Sequence, residues 1–254
     1  MKNMRKKIIA ITLVIVVFAI IFVIPSYSTQ DNDKSLIMTE EIFRTNSLIE
    51  KRTTETGLHF IEDNYYFLGI PSNNFVNING ENWRIIKINK DNSILIIKEE
   101  GINKNKLYQY NEEYNNASFN DSYVKKELEE YYENNLKNMK YVIEQEYCIQ
   151  YEKECLATEK NTISLLTPEI LDINNINEEY NDESFLINNY DYWILSNSYD
   201  EIIDSAYSGY VSSLGNLDNG FVDEEKTIRP IITLSKDTRV IGEGTINNPY
   251  IPQQ

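Results

Sequence analysis

Histidine is almost absent from this chain of 254 residues, in which His59 is the only one. A metal site built from several histidines is therefore impossible, and a serine or cysteine nucleophile would have to recruit this single side chain as its base. His59 lies in a polar stretch ahead of the first strong strand pattern, so we interpret it as a surface histidine. The chain lacks the residues that most catalysis needs.

Cysteine is also scarce, since Cys148 and Cys155 are the only two. Lipid attachment through an N-terminal cysteine is excluded. Outside the cytoplasm the two thiols are expected to form a disulfide. Residues seven apart in a continuous helix are about 10.5 Å apart, beyond the disulfide reach of about 7 Å, so a bonded segment must double back. Free thiols are the alternative, and reactive thiols are disfavoured because nearby acids such as Glu146 and Glu154 favour the neutral form.

Positive charge is in short supply, with 24 basic against 40 acidic residues and a net charge of -16. Such an acidic surface repels nucleic acid, so a DNA- or RNA-binding role is excluded. The acidity is also compatible with a role in solubility alone. Paired carboxylates such as Glu129 and Glu130 resemble the acid and base of a glycosidase, but pairs are expected by chance in so acidic a chain.

One long apolar run, Ile8 to Ile24, follows a cluster of cations and ends at Pro25. As a helix it would be about 25 Å long, close to the minimum for spanning a membrane. We predict a cytoplasmic basic tip at 1–7 and a transmembrane anchor or signal segment at 8–25, with the rest of the chain outside the cytoplasm. Cleavage near Ser28, which would release a secreted protein, is the alternative.

The remaining chain is predicted to comprise a tether at 26–63 and one extracytoplasmic domain at 64–254. Strands begin at Tyr65, and Asn79-Gly80 is a tight hairpin signal within an antiparallel meander that ends at Lys98. Apolar spacings of three and four predict a helix from Ser122 to Leu136. The predicted class is α+β, with a twisted antiparallel sheet, one main helix and long loops.

Shorter patterns fill the second half of the domain. We predict buried strands at Ile163 to Leu166 and at Tyr192 to Leu195, and a hairpin turn at Asn219-Gly220. A strand at Thr227 to Leu234 contains Pro230, which cannot donate to a sheet and so predicts an edge or a bulge.

The order of these segments resembles that of a known group of domains. The motifs are Asn82-Trp83-Arg84-Ile85-Ile86, the helix Ser122 to Leu136, Ile163 to Pro168, Trp193 to Ser196, Ile228 to Leu234, and Gly242 to Tyr250. Together they resemble uncharacterised bacterial surface domains with a C-type-lectin-like fold, distantly similar to the formylglycine-generating (sulfatase-modifying factor) fold. The resemblance implies a C-type-lectin-like domain over about Tyr65 to Pro252.

The departures from that family limit what is implied. The late cysteine pair of the formylglycine-generating enzymes is missing, and so are the Glu-Pro-Asn and Trp-Asn-Asp signatures of calcium-dependent lectins. The resemblance therefore implies neither that enzyme activity nor calcium-dependent sugar binding.

Tyrosine is the abundant residue best suited to recognition, with 19 in the chain. Tyr207 and Tyr210, surrounded by serine and glycine, have the composition of binding loops. Together with Asp218 and Asn219 they form the predicted ligand site, although they are also compatible with an ordinary solvent-facing strand. Asparagine is common too, as in proteins from AT-rich genomes, and its abundance is assigned no function.

The predicted function is a non-catalytic extracytoplasmic domain that binds a protein or glycan ligand and is attached to the membrane through its N-terminal helix. No cofactor and no metal are expected. The alternatives are a structural envelope subunit and an enzyme with an atypical carboxylate-based site.

Overall fold

The computed structural model describes residues 35–53, 55–151, 154–180 and 182–254. The predicted basic tip at 1–7 and the anchor or signal segment at 8–25 lie outside these ranges. Among the described residues, no helix is both long and apolar enough to cross a membrane. The chain from Ser35 to Gln254 forms one compact unit.

Strands and helices follow one another along the whole of this unit. The strands of the first half are β1 (Leu36–Ile37), β2 (Leu48–Ile49), β3 (Gly57–Ile61), β4 (Asn64–Leu68), β5 (Phe75–Ile78), β6 (Glu81–Ile88), β7 (Ile94–Lys98), β8 (Leu107–Gln109) and β9 (Val142–Ile143). Those of the second half are β10 (Gln145–Tyr151), β11 (Cys155–Asn161), β12 (Ile163–Leu165), β13 (Tyr192–Asp200), β14 (Ser205–Val211), β15 (Leu217–Phe221), β16 (Glu225–Thr227), β17 (Pro230–Leu234), β18 (Arg239–Ile241) and β19 (Ile251–Gln253). The helical segments are α1 (Met38–Thr45), α2 (Ile102–Asn105), α3 (Tyr123–Asn135) and α4 (Pro168–Ile173).

The fold is β-rich, with 42% strand and 14% helix in the described part of the chain. The sequence-based prediction of an α+β, C-type-lectin-like domain with one main helix is therefore contradicted. The prediction failed because several strands lack a strong apolar pattern. Strand β11, for example, is mostly exposed and has a largely polar sequence, and it pairs antiparallel with β10.

A nine-stranded sheet forms the centre of the unit, in the order β12-β17-β7-β6-β4-β3-β2, with β5 paired to β6 and β9 to β17. Its middle strands are apolar almost throughout because both faces are covered, and every residue of β7 is buried. Helix α3 begins where the sequence predicts it, since the Ser122 hydroxyl accepts a hydrogen bond from the Lys125 amide at 3.0 Å. Its apolar stripe, with Val124 and Leu128, is buried.

The hairpin predicted at Asn79-Gly80 is confirmed. Both residues have positive φ, 53° and 84°, which is the conformation of a tight hairpin turn, and β5 pairs antiparallel with β6 on either side of it.

Strand β17 has neither the edge position nor the bulge that Pro230 predicted, since its pairing with β12 and β7 shows no shift of register. It lies between β12 and β7 in the large sheet, with Pro230 at its first residue. A proline is tolerated there because the strand's interior donors are unaffected.

A second sheet of five strands has the order β15-β14-β13-β16-β8. The predicted turn at Asn219-Gly220 is wrong, because both residues lie inside β15 and pair with β14. The glycine leaves room for the ends of the Lys226 and Glu224 side chains, which would have to shift if a larger residue stood here. A Cβ at Gly220 would lie only 2.9 Å from Cε of Lys226 and 2.8 Å from a Glu224 carboxylate oxygen.

The segment predicted to be a tether belongs to the compact unit from Ser35 onward. Met38 and Ile42 of α1 are buried, and β3 pairs with both β2 and β4. His59 on β3 is 0% exposed, so the interpretation as a surface histidine is wrong. Its ring nitrogens lie 3.0 Å from the Lys51 carbonyl and 2.8 Å from the Glu55 carbonyl, and they tie β3 to the loop before it.

The expected disulfide is confirmed between Cys148 and Cys155. Strands β10 and β11 form an antiparallel hairpin, so the segment doubles back as the geometry of a disulfide requires. The two Cα atoms are 5.7 Å apart, within the range that disulfides span.

Replacing both cysteines by serine should lower the free energy of unfolding by about 2 to 3 kcal/mol, because the closed loop no longer restricts the unfolded chain. Denaturant unfolding of the double variant and of the wild type, each with and without dithiothreitol, measures this. The reductant should destabilise only the wild type. An equal effect of dithiothreitol on both proteins would contradict the prediction.

Several tyrosines have pKa values raised by burial, among them Tyr190 and Tyr192, each to about 12. A phenol with a raised pKa holds its proton longer in the folded state than in the unfolded chain, where the pKa is about 10. The stabilisation from the neutral phenols is thus complete below pH of about 10 and is lost as the pH rises from there towards about 12.

The free energy of unfolding should therefore fall over that alkaline range, and phenolate absorbance should rise in step with unfolding for the buried tyrosines. Denaturant unfolding at a series of pH values tests this, with exposed Tyr114→Phe as a control that leaves the profile unchanged. A stability that is constant through the range would refute it.

Candidate functional site

Three neighbouring depressions form a groove on the surface. The first has a volume of about 370 Å³, the second about 620 Å³ and the third about 550 Å³. Asn177 and Glu179 line both the first and the second, and Asn219 lines both the second and the third. Because adjacent depressions share these side chains, we treat them as one surface, the groove.

The first depression, here called the amide pocket, is built mainly from the stretch after α4. Its lining consists of Thr53, Leu68, Gly69, Asn174, Asn175, Asn177, Glu179, Tyr180 and Glu183. Tyr180 is 67% exposed, and its hydroxyl donates to the Asp182 carboxylate at 3.0 Å. Amide and carboxylate groups dominate this lining, with one aromatic ring at its margin.

The other end of the groove lies on the β13–β14–β15 face of the five-stranded sheet. Tyr207 pairs with Phe221, and Gly209 pairs with Asn219. Since side chains alternate along a strand, these four positions share one face. The Tyr207 and Phe221 rings are stacked with centroids 4.7 Å apart, and Tyr207 and Asn219 both line the third depression.

The predicted site is divided between two faces. Tyr207 and Asn219 line the groove, whereas Tyr210 and its cross-strand partner Asp218 point to the opposite face, because an odd spacing along a strand reverses the side chain. There the Tyr210 ring contacts another residue of the protein, since the Lys226 ammonium lies 3.9 Å from its centroid. The Tyr210 hydroxyl also donates to Asp218 at 3.2 Å.

Burial, together with the neighbouring Asp218 carboxylate, raises the pKa of Tyr210 to about 12. Lys226 completes this arrangement with a 2.7 Å bond to Glu224 and a position 4.9 Å from the centre of Trp193. Tyr210 and Asp218 therefore hold Lys226 in place and do not line the groove.

A buried arginine holds one wall of the groove. Arg229 is 0% exposed and donates to the Leu186 carbonyl at 2.6 Å and to the Lys98 carbonyl at 2.7 Å. The Tyr192 hydroxyl donates to the same Leu186 carbonyl at 2.7 Å. The stretch that follows the amide pocket is thus fixed to the end of β7 and to β13.

A second arginine reinforces this attachment. Arg84 lies over the Phe75 ring at 3.8 Å and over the Phe185 ring at 5.0 Å, and burial lowers its pKa to about 10. Glu99 lies 3.7 Å from Arg84 and 3.9 Å from Arg229. The single carboxylate partly compensates two buried cations.

The start of the same stretch is anchored by backbone contacts. The Asn174 side-chain amide donates to the Ile170 carbonyl at 2.9 Å, and the Leu217 amide donates to the Asn177 carbonyl. The groove wall between Asn174 and Leu186 is therefore held at both ends.

In the described ranges, no three histidine, cysteine, aspartate or glutamate side chains are grouped as a metal site. The groove residues Asn174, Asn177, Glu179 and Tyr180 were not predicted from the sequence. The available signal for Asn177, Glu179 and Tyr180 was a tyrosine within a run of asparagine and acid, and the asparagine abundance had been assigned no function.

Replacing Arg229 by methionine should lower the free energy of unfolding by about 3 to 5 kcal/mol, because the Lys98 and Leu186 carbonyls lose a buried donor and Glu99 loses a cation. Denaturant unfolding measures the loss. The matched control is Arg239→Met at an exposed arginine, which should change stability little. Equal losses in the two variants would show that the buried guanidinium is not the anchor.

Comparison with known proteins gave no match to a family model, a curated protein or a solved structure.

Proposed function

We propose that this chain is a non-catalytic, extracytoplasmic binding domain that takes a glycan along the groove. The observation that carries the proposal is the sharing of Asn177, Glu179 and Asn219 between adjacent depressions. Shared lining suits an extended ligand better than a single small molecule, because successive units of one chain can occupy successive depressions.

The chemistry of the lining supports a glycan. Asparagine amides both donate and accept hydrogen bonds, and carboxylates accept them, which complements sugar hydroxyl groups. Tyrosines lie at both ends of the groove, Tyr180 in the first depression and Tyr207 in the third. An aromatic ring offers a rigid apolar surface for the C–H face of a sugar, with a polar end.

An extracytoplasmic location is supported by two features. The Cys148–Cys155 disulfide is of a kind that persists in oxidising compartments. The cations and apolar run at the start of the sequence are typical of an export segment.

A structural envelope subunit is the second candidate, and one observation favours it. The tip of the β13–β14 hairpin exposes Ile202 by 93% and Ile203 by 51%. Exposed apolar side chains at a hairpin tip suit contact with a neighbouring protein.

Binding of the full-length protein to an array of bacterial envelope glycans tests the proposal. Tyr207→Ala should weaken the affinity for a bound glycan by about tenfold, the effect of removing an aromatic side chain worth roughly 1.4 kcal/mol to binding. Tyr114→Ala, which removes an exposed tyrosine outside the groove, should bind as the wild type does.

Tyr210→Phe is the control on the opposite face of the sheet. It keeps the ring beneath Lys226, so glycan binding should be unchanged. Equal affinity of wild type and Tyr207→Ala, with circular dichroism showing both folded, would overturn the proposed site. An array without any bound glycan, together with association through Ile202, would favour the envelope subunit.

A further inference from the structure

Asn174 carries a buried polar atom that no other residue in the described part of the chain satisfies. The residue is 6% exposed and lines the amide pocket. Its side-chain nitrogen donates to the Ile170 carbonyl at 2.9 Å, which fixes the orientation of the amide and leaves Oδ1 as the free end. Oδ1 accepts no hydrogen bond from the described residues. A buried acceptor without a donor destabilises the folded protein. A ligand that donates a hydrogen bond to this oxygen would remove that penalty.

The rest of the amide pocket is rich in acceptor groups. Two carboxylates, Glu179 and Glu183, are in its lining, and ionised carboxylates only accept hydrogen bonds. The amide oxygens beside them are already engaged, because Asn177 accepts from the Glu179 amide at 2.7 Å and Asn175 accepts from Arg52. The pocket thus combines a buried neutral acceptor, negative charge and the exposed ring of Tyr180.

A primary ammonium group satisfies all three features. It has three donors and no acceptor, it forms charge-assisted bonds with carboxylates, and it is attracted to an aromatic face. We propose that the amide pocket binds the free, protonated amine of an amino sugar, with Asn174 Oδ1 and the Glu179 carboxylate as acceptors. This inference rests on the proposed glycan-binding function and names the chemical class of the unit held at one end of the groove.

The size and charge of the pocket favour this occupant over others. A volume of about 370 Å³ is in the range of pockets for organic ligands and is larger than a bare ion needs. Glu178 and Asp172 in the adjoining depression add negative charge, which disfavours phosphorylated and acidic sugars. An N-acetylated sugar would replace the ammonium by an amide and lose the charge.

Binding is tested by titrating isotope-labelled full-length protein with D-glucosamine, D-glucose and N-acetyl-D-glucosamine while following the side-chain amide resonances of Asn174 by NMR. Glucosamine should shift these resonances in a saturable way, and the two neutral sugars at equal concentration should not. Glu179→Gln should weaken glucosamine binding by about tenfold, because one charge-assisted hydrogen bond is lost.

The matched control is Glu62→Gln, which neutralises an exposed carboxylate in the turn between β3 and β4 that lines none of the three depressions. It should leave the glucosamine affinity within about twofold of wild type, as expected for an exposed charge. Equal shifts by glucose and glucosamine would overturn the proposal, and so would equal losses in the two variants.

Two further probes separate the amino sugar from other cations. Calcium chloride that shifts Asn174 where glucosamine does not would identify a metal site and overturn the proposal, as would Nα-acetyl-lysine amide that binds in place of glucosamine. Tyr207→Ala should leave glucosamine binding at the amide pocket intact. Glucosamine binding without any array glycan would therefore disprove the extended groove alone, and the reverse result would disprove the amine site alone.

Discussion

The burial of Arg229 is the constraint on which the rest of the structure depends. This arginine stands between β16, which belongs to the five-stranded sheet, and β17, which belongs to the nine-stranded sheet. A guanidinium with no solvent must find acceptors within the protein, and here they are the carbonyls of Lys98 and Leu186. The hydrogen bonds of this one buried cation thus connect the segment between the two sheets to the end of β7 and to the wall of the groove.

The same constraint explains why an irregular segment can form a binding surface. Loops have few internal hydrogen bonds, and a site on a loop is only as well defined as its supports. Leu186 receives donors from Arg229 and Tyr192, while Asn174 and Asn177 are held by backbone contacts. The polar side chains between these contacts therefore line the groove from a backbone segment that is held at both ends.

Charge is distributed unevenly between the interior and the surface. Arg84, Arg229 and Lys226 are buried and are held by carbonyls, aromatic rings and a few carboxylates. Because these cations are buried, the charged side chains named in the groove lining are carboxylates, and the charge of the groove is negative. Part of the acidity that the sequence analysis associated with solubility therefore lies in the groove, whose lining includes Glu178, Glu179 and Glu183.

The sequence by itself determined the features that depend on neighbours along the chain. These include the Asn79-Gly80 turn, the Ser122 cap of α3 and the need for the chain to double back between Cys148 and Cys155. Contacts between distant segments decided the rest. Polar strands such as β16 exist because the distant strands β8 and β13 satisfy their backbone groups, which no local pattern reveals, and so the β-rich class was missed.

Only the tertiary structure decided the candidate site. Tyr207 and Tyr210 have the same composition around them, yet one faces the groove and the other holds Lys226, because strand register sets the face that each side chain occupies. Asn174 shows no signal in the sequence, since its importance arises from an oxygen that the fold buries without a donor.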